Sequence, residues 1–435
     1  MPCKHTAALY LPKAEEKGEN MNKLIIDGGR PLKGEIDING AKNSVLPILA
    51  ATLINGGENI IHNCPDLKDV DSAVNILRHL GCKVKREGKT ITVDSSDIKR
   101  YDVPDKLMRE MRSSVIFLGP ILARCGKSRM CFPGGCELGP RPIDLHIDAA
   151  RKLGVKVEED CGNIYCTAED MVGQDIMLSF PSVGATENII LMGTACKGVT
   201  RIKNAAREPE IDDLIAFVRK AGAIVERRGN EIEIVGNRTK NATEHTVMPD
   251  RIETSTYLCM CAAAGGDILL KKTDFVCCET VIDALMQAGA DIAACKDTIR
   301  IQSTGKLKAI KPVRTMPYPG FPTDAQAILM AAMTLAKGST IFIETIFENR
   351  YRHTAELMRM GADIKVAGRM AVTEGVKRLY GAKVKATDLR GGAALCVAGL
   401  AAFGRTEIED IYHIDRGYER IENVISALGG RAVRE

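Results

Sequence analysis

One thiol is set apart by its surroundings. Residues 133–141, PGGCELGPR, place Cys136 among three glycines and two prolines, with Arg141 five positions on. Glycine has no Cβ and lets backbone approach a ligand closely. A neighbouring cation lowers a thiol's pKa from about 8.5. The chemistry on offer is thiol or thiolate reactivity beside an anion; a glycine-rich turn with an incidental cysteine is the competing reading. Elsewhere, Asp324 and Asp388 are carboxylates at or just before the mouths of apolar helices. Lys42, Arg112, Arg350, Arg390 and Arg416 are cations suited to phosphate and carboxylate, the arginines bidentately.

The 435 residues call for more than one core and fit two domains. Hydrophobic content of 45% and charged content of 27% describe an ordinary globular chain. A net charge of +4 without a basic run, together with the absence of tryptophan, excludes a nucleic-acid binder that works by charge and stacking. No apolar run is long enough to span a membrane. Fifteen cysteines, many in apolar runs such as YLCMCAAAGG, read as small hydrophobes in a reducing cytoplasm. Residues 1–20 are unpatterned and read as a disordered or tag-like extension.

An internal repeat positions the candidate residues. An apolar helix ending in glycine and followed by a hairpin recurs six times, at Gly81, Gly154, Gly222, Gly289, Gly361 and Gly429, spaced 67 to 73 residues apart. An earlier helix in each unit closes at Gly57, Gly126, Gly198, Gly266, Gly338 and Gly404. Each unit is then βαβαββ, a mixed sheet with its helices on one side. The sixth unit lacks a hairpin strand, and NKLIIDGG near the start is a strand without a unit. Joining the two gives a discontinuous domain, 21–41 plus 248–435, beside a domain of 42–247 that carries the cysteine loop. The stretch 236–249 is non-repeating.

The distance between the two glycines is 28 residues in unit two and 23 to 25 in the others, and the excess falls in PGGCELGPRP. Arg350 and Arg416 each lie twelve residues after their unit's glycine, and Arg141 lies fifteen after Gly126. Fourteen residues before the first-helix glycines stand Asn43, Arg112, Gly184, Ile252, Asp324 and Arg390. Helix N-termini favour anions. Capping alone accounts for Asp324 and Asp388. Lys42, Arg112 and Arg390 oppose the helix dipole, which points to a polyanionic ligand that offsets the charge.

The motifs NGAKNSVLPILAA, PGGCELGPRPIDLH, PSVGATEN, NAAREPEI, PDRIET, FPTDAQA, FENRYRH, ATDLRGGAAL and YHIDRGYERIE resemble those of the enolpyruvyl transferases that act on UDP-N-acetylglucosamine, over essentially all of the chain from Met21. The resemblance implies a two-domain inside-out α/β barrel with three units per domain and the active site between them. It implies transfer of the enolpyruvyl group of phosphoenolpyruvate to the 3′-hydroxyl of UDP-N-acetylglucosamine with release of phosphate, as the first committed step of peptidoglycan synthesis, and no metal or organic cofactor. By resemblance, Cys136 is the catalytic thiol, a general acid able to form a phospholactoyl adduct. Lys42, Arg141 and Arg416 clamp phosphoenolpyruvate. Asn43, Arg112, Ser182, Val183 and Gly184 contact the UDP-sugar, as do Arg141, Pro142, Ile143, Asp144 and Leu145. Asp324 takes the sugar proton, Ile346 offers a backbone contact, and Asp388, Arg390 and Arg350 support. Phe180 departs from relatives that carry lysine at its position.

The nearest rival is transfer to shikimate 3-phosphate, whose enzymes lack the cysteine loop. A metal-binding scaffold built on Cys131, Cys136, Cys161, Cys166 and His146 is a different class of reading. It fits less well, because Cys131, Cys161 and Cys166 fall in strands and a hairpin.

Overall fold

The computed structural model describes residues 23–132, 143–236 and 241–435, apart from the side chain of Arg112. Gly81, Gly154, Gly222, Gly289, Gly361 and Gly429 all have φ between 76° and 109°. In that left-handed region glycine ends a helix without strain. A hairpin follows each of the first five, such as Lys83–Glu87 with Thr90–Asp94. After the sixth, Arg431–Arg434 has no following strand. Leu24–Asp27 takes that place, pairing Leu24 with Arg434 and Ile26 with Ala432, and Ile26 with Thr406 on its other side.

The strands form six sheets, five of four strands and one of three, Lys127–Cys131 with the hairpin Lys156–Asp160 and Asn163–Thr167. Each four-stranded sheet has one parallel edge strand. Two of these edges are exchanged along the chain. Leu32–Asp37 lies beside Gly266–Lys271 of unit four, and Thr243–Thr246 lies beside Glu58–His62 of unit one. The stretch 236–249 was expected to be non-repeating, so this second strand is a correction. Its sequence, TEHT, alternates buried and exposed positions but holds no aliphatic residue that would mark it as a strand.

Buried apolar side chains fall into two clusters. One draws on residues 45–247, the other on residues 24–38 and 252–432. They are called here the first and second lobes. In the second lobe the helices Arg251–Ala264, Thr323–Met333 and Leu389–Ala401 pack against one another, and nearly every residue of each is buried. A helix apolar all round has to sit inside. The matching segment of unit two is broken: a 3-10 turn, Arg112–Phe117, precedes the helix Leu118–Cys125. Pro120 has no N–H to give, and the Gly119 N–H goes to Asn188 Oδ1 at 2.6 Å. Burial pushes the thiols of Cys64, Cys82 and Cys278 up to about 12, in keeping with cysteine as a packing residue.

Two segments cross between the lobes side by side. Ala41 N–H donates to Met248 O at 2.7 Å and Asp250 N–H to Asn39 O at 2.9 Å. Beneath them Glu253 is buried. It accepts from Asn39 N and Nδ2 at 2.9 Å each and from Tyr257 Oη at 2.8 Å. Burial, with Asp250 nearby, pushes its carboxyl up to about 7 despite these donors. His353, also buried, is pushed down to about 4, mainly by burial.

The two groups act oppositely on stability. Between their unfolded and folded pKa values, 4.5 and about 7, the folded Glu253 binds the extra proton, so stability falls as pH rises. Between about 4 and 6.5 the unfolded His353 binds it, so stability rises with pH. The Glu253 contribution is on the order of 3 kcal/mol. Denaturant titrations should therefore show Glu253→Gln gaining stability with pH more steeply than the parent between pH 4.5 and 6.5. Parallel curves would remove Glu253 as the source.

Candidate active site

Between the lobes lies a cleft of about 1540 Å³, lined from both sides. Lys42 is the first residue of the helix Lys42–Ala51, where a cation opposes the dipole. The opposition is met from within: Lys42 Nζ is 2.6 Å from Asp69 Oδ2. Asp69 also accepts from Arg416 of the other lobe, Nε to Oδ1 at 2.8 Å and Nη2 to Oδ2 at 3.3 Å. One buried carboxylate thus joins two of the expected anion-holding cations across the cleft. Burial alone would raise the Asp69 pKa, but Lys42 and Arg416 hold it below the ordinary carboxylate value. Burial lowers the Lys42 pKa, and the positive charges of Arg416 and Arg390 add to this against the pull of Asp69.

The second lobe repeats the device. Asp324, in the first turn of its helix, accepts from Arg350 Nη2 at 2.7 Å and from Arg390 Nη2 at 3.0 Å. Arg390 Nη1 donates onward to Tyr418 Oη at 3.2 Å, which meets Thr256 Oγ1 at 2.8 Å. Burial would raise the Asp324 pKa, but Arg390 and Arg350 outweigh it and hold the carboxylate far below its usual range. The cations at the helix mouths were expected to wait for a ligand's charge; resident carboxylates supply part of it.

Asp388 is a capping residue, accepting from the Arg390 and Gly391 N–H groups at 3.0 Å each. Asp250 does the same for Ile252 and Glu253, and also accepts from Lys42 N at 3.1 Å. Ser182 caps Val183–Gly193 through the Ala185 N–H. Gly184 faces His146, whose Cε1 would stand 3.0 Å from an added Cβ. Ser182, Val183, Gly184, Asn43, Ile143, Asp144, Leu145 and Ile346 all line the cleft. The Ile346 N–H is taken by Glu344 Oε1 at 2.8 Å, so a backbone contact there would use its carbonyl. Phe180 is on the cleft wall and 43% exposed. Cys136, Arg141 and Pro142 lie outside the described residues, as does the side chain of Arg112.

Sequence reasoning missed Asp69 and a third ion pair, Arg251 Nε to Glu210 Oε1 at 2.9 Å, which bridges the lobes. Glu208 sits beside it and accepts from the Tyr318 N–H at 3.3 Å. Among the described residues no three His, Cys, Asp or Glu side chains gather as a metal site, and His146 Nδ1 meets Asn188 Nδ2 at 2.7 Å. No helix among them is long and apolar enough to cross a membrane.

The family profile for EPSP synthase (3-phosphoshikimate 1-carboxyvinyltransferase) matches residues 26–425. UDP-N-acetylglucosamine 1-carboxyvinyltransferase 2 of Caldanaerobacter subterraneus subsp. tengcongensis is 49% identical over 415 residues, covering 95% of this chain and 100% of that protein. UDP-N-acetylglucosamine 1-carboxyvinyltransferase of Desulfatibacillum aliphaticivorans is 45% identical, covering 95% and 99%. In fold, the chain is similar to the crystal structure of the enolpyruvyl transferase NikO from Streptomyces tendae, with a TM-score of 0.86 at 24% identity over 95% and 99% of the two chains. A two-domain α/β architecture, a cation-rich cleft between its lobes and this degree of identity place the chain in the enolpyruvyl transferase family, among the UDP-N-acetylglucosamine 1-carboxyvinyltransferases.

Proposed function

We propose that the cleft binds phosphoenolpyruvate and UDP-N-acetylglucosamine and moves the enolpyruvyl group to the sugar 3′-hydroxyl, releasing phosphate, as the committing step of peptidoglycan synthesis in the cytoplasm. The observation that carries this is Lys42 and Arg416, held face to face across the cleft on Asp69. Two cations from different lobes, joined on a carboxylate, suit a small phosphorylated carboxylate that arrives between them. Lys42, Arg416 and Arg141 take the phosphoenolpyruvate. Asn43, Arg112, Ser182, Val183, Gly184, residues 141–145 and Ile346 take the nucleotide sugar. Cys136 delivers the proton to carbon. Asp324 takes the hydroxyl proton, and for this the bound anions must draw Arg350 or Arg390 off it, since a carboxylate held so low is a weak base. The division into residues 42–247 and residues 21–41 with 248–435 is part of the same proposal: the two-lobed cleft serves as a closing jaw.

Purified protein given both substrates should release inorganic phosphate, and Cys136→Ser should lose most of that activity, about 10²-fold or more. Mass spectrometry after treatment with an epoxide phosphonate should show one adduct, on Cys136. Phosphate release that requires shikimate 3-phosphate would overturn the substrate assignment, and normal turnover by Cys136→Ser would overturn the thiol's role.

A further inference from the structure

Behind the cleft, one carboxylate ties together parts that the proposed mechanism does not use. Asp213 lies on the helix Pro209–Lys220 of unit three, with only 10% of its side chain exposed. Its Oδ2 accepts from the Ser44 hydroxyl and from the Met248 N–H, the latter at 3.0 Å. Its Oδ1 lies 2.8 Å from His245 Nε2. A carboxylate only accepts, so Nε2 carries the hydrogen. His245 Nδ1 is buried without a hydrogen-bond partner among the described residues, and the ring meets Phe217 edge-on. Serine, aspartate and histidine here do not form a nucleophile relay, because serine and histidine both donate to the aspartate instead of to each other.

The three donors come from two pieces of chain far apart in sequence, the start of the Lys42–Ala51 helix and the run 245–248. Ser44 is two residues after Lys42, on the first turn of the same helix. His245 is on the exchanged edge strand Thr243–Thr246. Met248 is in the crossing segment, and its carbonyl accepts from the Ala41 N–H directly before Lys42. Asp213 therefore fixes the mouth of the Lys42–Asn43 helix and the segment on which the lobes are joined to one point. We infer that Asp213 is a positioning residue: it sets where Lys42 and Asn43 stand relative to the interlobe crossing, and through them the affinity for phosphoenolpyruvate. This rests on the proposed assignment of Lys42 to that substrate.

Asp213→Asn keeps the volume but turns one oxygen into a donor, which confronts the Met248 N–H or displaces His245. Phosphate-release kinetics with UDP-N-acetylglucosamine saturating should show KM for phosphoenolpyruvate rising about tenfold, the equivalent of one charge-assisted hydrogen bond. kcat should change by less than about threefold, since a displaced Lys42 weakens ground and transition states alike. Ser44→Ala should move KM the same way by a smaller factor, and it carries the test if Asp213→Asn does not fold. Asp212→Asn, next in sequence but exposed and paired with Arg227, should leave both constants unchanged. A KM unchanged in both Asp213→Asn and Ser44→Ala, or shifted equally in Asp212→Asn, would overturn the inference. If the parent protein itself shows no turnover, the substrate assignment fails instead, and amide hydrogen exchange decides: faster exchange over residues 39–46 in Asp213→Asn supports the positioning role, and unchanged exchange overturns it.

Discussion

Asp324→Asn is expected to lower kcat for phosphate release by about 10³-fold, within the range for loss of a positioned general base. The side chain accepts from Arg350 and Arg390 at once, and an amide cannot balance two guanidiniums. The stability penalty should be modest, about 1–3 kcal/mol, because 27% of the Asp324 side chain opens on the cleft and water can replace part of the lost charge. A large kinetic loss with a small stability loss is the signature of a residue that acts on the reaction. If Asp324→Asn keeps kcat within about tenfold of the parent, the base lies elsewhere. The sign of the pH dependence follows from the depressed pKa. Asp324 contributes stability in full above the usual carboxylate value of 3.8, and that contribution is lost as pH falls below it.

Asp69→Asn should lose both stability and activity. Lys42, Asp69 and Arg416 form a triad whose central carboxylate is only 2% exposed. Removing the carboxylate leaves two cations facing each other away from water, which costs about 3–5 kcal/mol and lowers the melting temperature by roughly 6–12 °C. The catalytic efficiency kcat/KM should fall about 10²-fold, because the cations still attract phosphate but no longer stand at a fixed separation. A double-mutant cycle with Lys42→Met separates this role from others. If Asp69 acts by placing Lys42, the double variant is no worse than Lys42→Met alone; fully additive losses would show that it acts elsewhere.

What the sequence made legible was whatever recurs. The glycines that end helices, the hairpins after them and the buried helices are dictated by φ and by apolar patterning, and the same register led to Asn43, Asp324, Arg390, Arg350 and Arg416. Its failures have the same origin. Asp69 is an ordinary acid in the first turn of Lys68–Leu80, where many helices place one, so nothing local marks it as the partner of Lys42. Asp250 was passed over because counting from glycine landed on Ile252, two residues into the turn that Asp250 caps. Arg251 and Glu210 are 41 residues apart and come together only when the lobes do. The strand Thr243–Thr246 earns its place by pairing with Glu58–His62, far away in sequence, and not by its own propensity.

The strand that completes the sixth unit also constrains how the chain can be built as it leaves the ribosome. The sheet that holds Leu24–Asp27 is closed by Arg405–Glu409 and Arg431–Arg434, so this strand must wait for partners that follow it far along the chain. At about 5–20 residues per second that interval is roughly 20–80 s. Residues 45–247, with their own core and their own closing strand, have all their pieces once residue 247 is made, well before Arg405. Through that interval the early segment is a solitary strand with open edges, which makes it the part of the nascent chain most in need of shelter from other strands.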